Sequence, residues 1–307
     1  MGVTHHIGLE IAERSFRFVE IQQQDRQSTI LRADTLETAR DYASRLFFDI
    51  PFDRDLARQF ITDLATVYHR HTVYAGSISL VLPATLPLVF TVPVESRLSE
   101  RERNRQLQWE CTSLANLPED TRMRMLTHVL EKDGEVIRYL VVALPQALVD
   151  FLTQTCEYLT LNLGSVDVDH FAIENVLRQL YPHDVSQHYA VVGMHDGHCT
   201  AGRYADGTYL GFRMGAVSYR EHYAAQVLRL LEGLQPSNAG ALQHLYVYGN
   251  AAAPHVLDSL EDILSCRVTR CVPLADTSIP DEIQQNIDST GEHVFDAAAA
   301  AALMGPG

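Results

Sequence analysis

Lysine is nearly missing from this chain. Of 307 residues, 24 are Lys or Arg, and Lys132 is the only lysine among them. Chemistry that needs a lysine, such as a phosphate-loop lysine or a Schiff base, is therefore excluded everywhere but there. Lys132 sits in Glu131-Lys132-Asp133-Gly134, which reads as a hairpin turn. Positive charge is scarce overall: 39 Asp and Glu leave a formal net charge of −15. That balance argues against a nucleic-acid partner, because affinity for a phosphate backbone comes from clustered cations. It argues equally against a basic membrane-surface protein. Cysteine is sparse, at Cys111, Cys156, Cys199, Cys266 and Cys271. The number is odd and no CxxC occurs, so neither a disulfide framework nor a zinc site is indicated, and a reducing compartment is expected. No HExxH, His/Cys cluster or GxSxG is present, which leaves no basis for a metal centre or a Ser/His/Asp triad. A basic leader is missing too: His5, His6 and Glu10 come too early for a signal peptide. One charge-free run, Ser77 to Val94, approaches the length of a membrane span. Pro83, Pro87 and Pro93 interrupt it, so it reads as two strands and a turn. The expectation is a soluble cytoplasmic protein with no direct membrane insertion.

What is present is a foldable chain, 46% apolar and 21% charged, long enough for about two domains. Residues 5–12, 15–22 and 28–33 read as a three-strand meander; Phe16, Phe18 and Ile21 alternate with Arg17, Glu20 and Gln22. Leu56, Phe60, Leu64 and Val67 have helical spacing. A helix is predicted over 99–117, opened by a capping box at Ser99 and Glu102. It carries the only tryptophan, Trp109, which is read as core, with an interface anchor as the alternative. Strands at 125–130 and 136–144 lead to a helix that Pro145 opens. Asp167 and Asp169 lie two apart on a strand; Asp169 is read as the cap of the helix that follows rather than as half of an acid pair. A second meander then appears, with strands at 189–194, 199–204 and 208–214 and turns at Asp196-Gly197 and Asp206-Gly207. Helices at 219–234 and 254–264, strands at 245–248 and 268–272, and an alanine-rich helix at 291–304 complete the pattern. Two meanders, each followed by helices, suggest an internal duplication.

The duplicated meander resembles the actin, sugar-kinase and heat-shock ATPase superfold. Within it the chain is most similar to the PilM-like family of type IV pilus assembly proteins, relatives of the cell-division protein FtsA. Four segments carry the resemblance: Ile7-Gly8-Leu9-Glu10-Ile11-Ala12 with Phe18-Val19-Glu20, Tyr139 to Asp150, Ser165 to Ala172, and Leu245 to Ala251. They occur in the family's order. The resemblance implies an α/β, actin-like (ribonuclease H-like) duplicated fold with an inserted 1C-type subdomain. Its divisions would be 1–83 (subdomain 1A), 84–162 (the insertion), 163–187 (return and crossing), 188–290 (the second half, 2A/2B) and 291–307 (a C-terminal helix returning to the first half).

The resemblance also implies where a nucleotide would sit. In this superfold ATP lies between the halves, hairpin N–H groups approach its phosphates, and an acid on the first strand holds Mg²⁺ through water. The matching positions are Glu10, Ala12, Ser15 and Arg17 at the first hairpin, Gly197 at the second, and Gly249, Asn250 and Ala251 at the adenosine turn. Several depart from the family pattern. Ala12 replaces a glycine, Glu13 brings negative charge to the phosphate side, and Arg17 stands at the lysine position. At the second hairpin Gly193-Met194-His195 replaces the acidic anchor. The expectation is a cleft without a working cofactor, ATP/Mg being the alternative. The function expected is a non-catalytic scaffold of an envelope-spanning machine, in pilus assembly or type II secretion. It would bind the cytoplasmic N-terminal peptide of an inner-membrane, PilN-like partner, in a groove formed by about 78–94 and 139–148. The competing expectation is an active ATPase or small-molecule kinase of the superfold. A filament-forming FtsA-like protein would want a C-terminal amphipathic helix with a basic face, which Asp296 to Gly307 lacks.

Overall fold

A computed structural model describes residues 2–25, 27–43, 54–70, 72–182, 188–234 and 240–305. The expected crossing between the halves runs into 183–187, outside the described residues. Strands β1 (Thr4–Ile11), β2 (Ser15–Gln24) and β3 (Gln27–Glu37) form the first meander. Ile7, Leu9 and Ile11 are fully buried, as are Phe16 and Phe18 opposite them. Helix α1 (Arg54–His69) buries Leu56, Phe60, Leu64 and Val67, the stripe predicted from spacing. Strand β4 (Ser77–Leu82) then runs parallel to β1.

From here the chain builds a separate sheet. Strand β5 (Leu88–Glu95), helix α2 (Glu100–Leu114), strands β6 (Met123–Asp133) and β7 (Val136–Pro145) and helix α3 (Gln146–Tyr158) follow, with the strands paired in the order β5-β7-β6. Strand β8 (Asn162–Val168) returns to lie parallel to β4 and leads into helix α4 (Asp169–Leu180). The run from Ser77 to Val94 is thus two strands, though they belong to different sheets. No helix among the described residues is long and apolar enough to cross a membrane.

The second meander is β9 (Tyr189–His195), β10 (His198–Ala205) and β11 (Thr208–Ala216). Helix α5 (Tyr223–Glu232), strand β12 (His244–Tyr248), helix α6 (Pro254–Leu264) and strand β13 (Arg267–Arg270) follow. The chain then adds β14 (Thr277–Ser278), α7 (Asp281–Thr290) and α8 (Asp296–Met304). The first sheet is ordered β14-β3-β2-β1-β4-β8 and the second β11-β10-β9-β12-β13. Leaving β14 aside, both place a meander beside two parallel strands in the same order, so the repeat read from sequence is a repeat of topology.

Helix α8 seals the first half. Ala297 to Ala302 are all buried, packed on β1, β2, β4 and α4. A Cβ at Gly8 would lie 1.9 Å from the carbonyl oxygen of Ala298, so only glycine lets this backbone come so close. Three expectations need correction. The final helix does not start at Gly291: Glu292–Phe295 is a 3₁₀ turn and the α-helix begins at Asp296. Nothing was predicted over 277–290, where β14 and α7 form; α7 buries only Ile287, so it has no apolar stripe to read. Trp109 is 58% exposed instead of core, because α2 packs through Leu107, Cys111 and Thr112 on another face. The capping box is present, with Ser99 Oγ accepting from the Glu102 N–H and the Glu102 carboxylate accepting from the Ser99 N–H.

Candidate functional site

Two regions stand out, the junction where the two meander hairpins meet and a cavity beside the small sheet. In the first, register places Glu10 on β1 opposite Arg17 on β2, and Arg17 Nη1 donates to Glu10 Oε1 at 3.0 Å. The Ala12 N–H closes the hairpin onto the Ser15 carbonyl at 2.9 Å, and Glu13 is exposed. Across from it, Gly197 turns β9 into β10 with φ +87°, and the rings of His195 and His198 stack 4.9 Å apart. His195 Nε2 lies 3.3 Å from Asp169 Oδ2, which joins the second hairpin to the first half. Asn250 Nδ2 donates to Asp196 Oδ2 at 3.0 Å, and the Ala251 N–H to the Met194 carbonyl at 3.0 Å. The Gly249 N–H is taken by the carboxylate of Asp296, and Arg270 donates to the carbonyl of Ala252 at 3.0 Å.

The residues matched to a nucleotide cleft are therefore brought together, and their polar groups are largely met by one another. Four participants were not predicted: His195, Arg270 and Asp296, and Asp169 in the form it takes. Asp169 was read as a helix cap. It is instead 1% exposed, while the cap position is Val168 with no side-chain bond. Burial pushes the Asp169 carboxyl up to about 8, with Glu10 adding to the rise. Burial also pushes Asp296 well up and His195 well down. One legible signal was Asp296 itself, a lone charge opening a run of six alanines. Four buried polar atoms here have no partner, Glu10 Oε2, Arg17 Nε, His198 Nε2 and Asp296 Oδ2, and His195 Nε2 has only its ion-pair contact with Asp169. Among the described residues no set of three His, Cys, Asp or Glu side chains gathers to hold a metal ion.

The second region is a cavity of about 720 Å³ between the small sheet and the first half. Leu126 of β6, Leu140, Val142 and Leu144 of β7, and Val149 of α3 form its aliphatic side. The opposite wall is β8 from Leu163 to Val168, with Phe171, Glu174 and Arg178 of α4. Tyr204 and Tyr209 of the second half close it. Of the expected groove stretches, 139–148 contributes three lining residues and 78–94 contributes none. Strand β4 is buried between β1 and β8, and β5 lies on the far side of β7. Behind this wall a polar network ties α4 to the second sheet. His170 bonds Thr200 at 2.9 Å and Glu174 at 3.1 Å, and Tyr204 Oη donates to Glu174 Oε2 at 2.9 Å.

Overlaid on solved structures, the chain matches the "PilM-PilN type IV pilus biogenesis complex" with a TM-score of 0.72, at 15% identity, over 98% of each chain. It matches a protein of Bacteroides thetaiotaomicron with an actin-like ATPase fold and unknown function at a TM-score of 0.52, 11% identity and 94% of each chain. The fold is that of the actin-like ATPases. A third actin-like match is the ethanolamine utilization protein EutJ from Carboxydothermus hydrogenoformans, with a TM-score of 0.51 and 8% identity over 99% of this chain and 91% of that one. No protein-family model and no curated protein matches the sequence. The actin-like fold is what the four short sequence segments implied, at an identity where the likeness speaks for architecture alone.

Proposed function

We propose that this protein is a cytoplasmic actin-like scaffold of an envelope-spanning machine, in type IV pilus assembly or type II secretion. It binds the short cytoplasmic peptide of an inner-membrane, PilN-like partner and is peripheral to that membrane through the partner alone. The observation that carries this reading is the open, aliphatic cavity beside the small sheet, in a chain that overlays on the PilM–PilN complex over 98% of both. The divisions at 83/84, 162/163 and 187/188 belong to the same reading, with 84–162 as the 1C-type insertion that supplies one cavity wall; the expected division at 290/291 falls late, since β14 and α7 already pack on β3 of the first sheet.

ATP with Mg²⁺ does not suit the cleft between the halves. Glu13 brings negative charge where a phosphate hairpin needs a small neutral group, Ala12 stands where the family has glycine, and Glu10 is already paired with Arg17. At the adenosine turn Asp296 takes the Gly249 N–H, and Asn250 is tied to Asp196. A second polyanion there would meet carboxylates in a poorly solvated place. We therefore read the chain as a non-catalytic member. The alternative, an ATPase or small-molecule kinase that uses Glu10, Ser15, Arg17, Gly197 and the 249–251 turn, is favoured by one observation: the four buried polar atoms left without a partner, Glu10 Oε2, Arg17 Nε, His198 Nε2 and Asp296 Oδ2.

Thermal melting with and without Mg-ATP separates the two. A ligand at a thousand times its Kd adds about 4 kcal/mol to the folded state, a shift of several degrees. We expect no shift, and a clear one would overturn the reading of the cleft. The scaffold reading is tested by sedimentation with inner-membrane vesicles. Binding should be lost when the cytoplasmic tails of the vesicle proteins are trimmed by protease, and failure to sediment with intact vesicles would count against it.

A further inference from the structure

Trp109 is the only tryptophan of the chain, and it stands 58% exposed on helix α2. The helix is held to the small sheet without it. Leu107, Cys111 and Thr112 are its buried residues, and Cys111 Sγ lies 3.6 Å from Met125 Sδ. Gln108 fastens it further, donating to the Thr121 carbonyl and accepting from the Met123 N–H. On the outward side Arg101, Arg105 and Trp109 follow at four-residue spacing, and all three are exposed. Such a row is a ridge on a helix surface, here about 12 Å long at 1.5 Å per residue. Neither Arg101 nor Arg105 forms an ion pair among the described residues. Their neighbours differ: Arg97 is paired with Glu95, and Arg103 donates to Tyr139 Oη at 3.3 Å. Glu102 is the acid on this side of the helix, and its carboxylate already accepts from both the N–H and the hydroxyl of Ser99. In a chain of net charge −15 this is a local cationic ridge that ends in an aromatic side chain. It faces away from the cavity. Helix α2 meets the side of the small sheet that carries Met125 and Tyr139, while Leu126 and Leu140, the next residues along those strands, line the cavity on the other side.

We infer that the outward face of α2 is a docking surface separate from the cavity, and that its occupant is an acidic helix of a partner protein. Trp109 packs on an apolar side chain of that helix, and Arg101 and Arg105 meet Asp or Glu side chains one turn apart. Tryptophan and arginine carry a large share of binding energy where proteins meet. A ridge of residues four apart fits the groove of a second helix, and carboxylates at i and i+4 repeat at the interval of the two arginines. Charge favours a narrow partner over a lipid surface. A membrane is a plane of negative charge that would meet the acidic remainder of the chain as well, and holding to it takes about four to eight clustered cations. A helix touches the ridge alone, and salt screens it from charges more than about 8 Å away. Because this face and the cavity lie on opposite sides of the small sheet, both can be filled at once, and the chain can then bridge two partners.

Trp109 is its own reporter, because no other tryptophan contributes to the emission. A phage-displayed library of helix-forming peptides is selected on the full chain and counter-selected on Trp109→Ala, which removes peptides that bind elsewhere. Selection should enrich Asp or Glu at i and i+4 beside an apolar residue. A synthetic copy should move the Trp109 emission to shorter wavelength and shield it from iodide. By anisotropy of the labelled peptide, Trp109→Ala should weaken binding about thirtyfold or more. Arg101→Glu and Arg105→Glu should each weaken it about three- to tenfold, and added salt should weaken it further. All three variants should keep the parent's melting temperature, since these side chains are exposed. Leu126→Asp should leave this binding intact; its loss there would put the peptide in the cavity and overturn the inference. An emission shift with phosphatidylglycerol vesicles, and none with the selected peptides, would overturn it in favour of a lipid surface. A shift that grows with protein concentration alone, with a dimer in sedimentation that Trp109→Ala abolishes, would overturn it in favour of a second copy. No enrichment, or enrichment of basic or uncharged sequences, would overturn it outright while leaving the scaffold reading of the cavity in place.

Discussion

The junction between the halves and the cavity beside the small sheet differ in how their polar groups are used. Between the halves, Glu10 pairs with Arg17, Asn250 with Asp196, and the Gly249 N–H with Asp296. Beside the small sheet, a cavity of about 720 Å³ is lined by aliphatic side chains and the one-sided strand β8. The first region pairs most of its chemistry within each half, with Asp169–His195 reaching across between them; the second keeps its aliphatic lining open. In an actin-like fold the cleft between the halves is the obvious place to look for function. Here the comparison shifts attention to the space beneath the small sheet.

The comparison can be broken most forcefully at Gly8. Gly8→Ala sets a Cβ against the carbonyl of Ala298 and must push α8 off β1. We expect a loss of about 3 kcal/mol in urea unfolding, with the transition sometimes lost altogether. A variant as stable as the parent would mean that α8 does not seal the first half as described.

A smaller effect is expected from Asp169. Its folded carboxyl is raised to about 8 from an ordinary 3.8. Between those values the folded protein keeps a proton that the unfolded chain has released, so N binds more protons than U. The contribution is fully present below about pH 4 and is lost as pH rises through about 8. Asp169→Asn removes this dependence, so the variant should gain on the parent steadily as pH rises across that window. Parallel stability-pH curves from chemical unfolding would show that the carboxyl is not held neutral between the halves.

The smallest effect on stability belongs to the open region. Leu126 is 68% exposed, so Leu126→Asp should change stability by less than about 0.5 kcal/mol. It should nevertheless abolish peptide binding, because it places a carboxylate in the aliphatic side of the cavity. Loss of stability instead would mean that Leu126 supports the small sheet and does not serve as a binding surface.

Much of the architecture was legible because it is written in periodicity. Alternation in Phe16, Phe18 and Ile21 marked β2, and the spacing of Leu56, Phe60, Leu64 and Val67 marked α1. Ser99 and Glu102 marked the start of α2. Helix α7 was not legible because it buries one residue and so carries no stripe. Trp109 was misjudged because residue type argues for burial, whereas its exposure is set by which face of α2 meets the small sheet. In the cleft, Glu10, Arg17 and the 249–251 turn could be picked out by resemblance. The roles of His195 and Arg270 could not, since His195 meets a carboxylate of the other half and Arg270 reaches a carbonyl 18 residues back along the chain.

What the sequence by itself determined is the order and type of most elements, β14 and α7 excepted, the duplicated meander, the scarcity of cations and the single lysine. These follow from local propensity, hydrophobic period and composition, which need no knowledge of distant contacts. Tertiary structure alone decided that Asp169 and Asp296 would be buried and raised. It also decided that Gly8 must be a glycine and that β8 keeps one free edge beside a cavity. Each of these depends on which residues meet across long stretches of chain, and burial, with the electrostatics it brings, exists only once they have met.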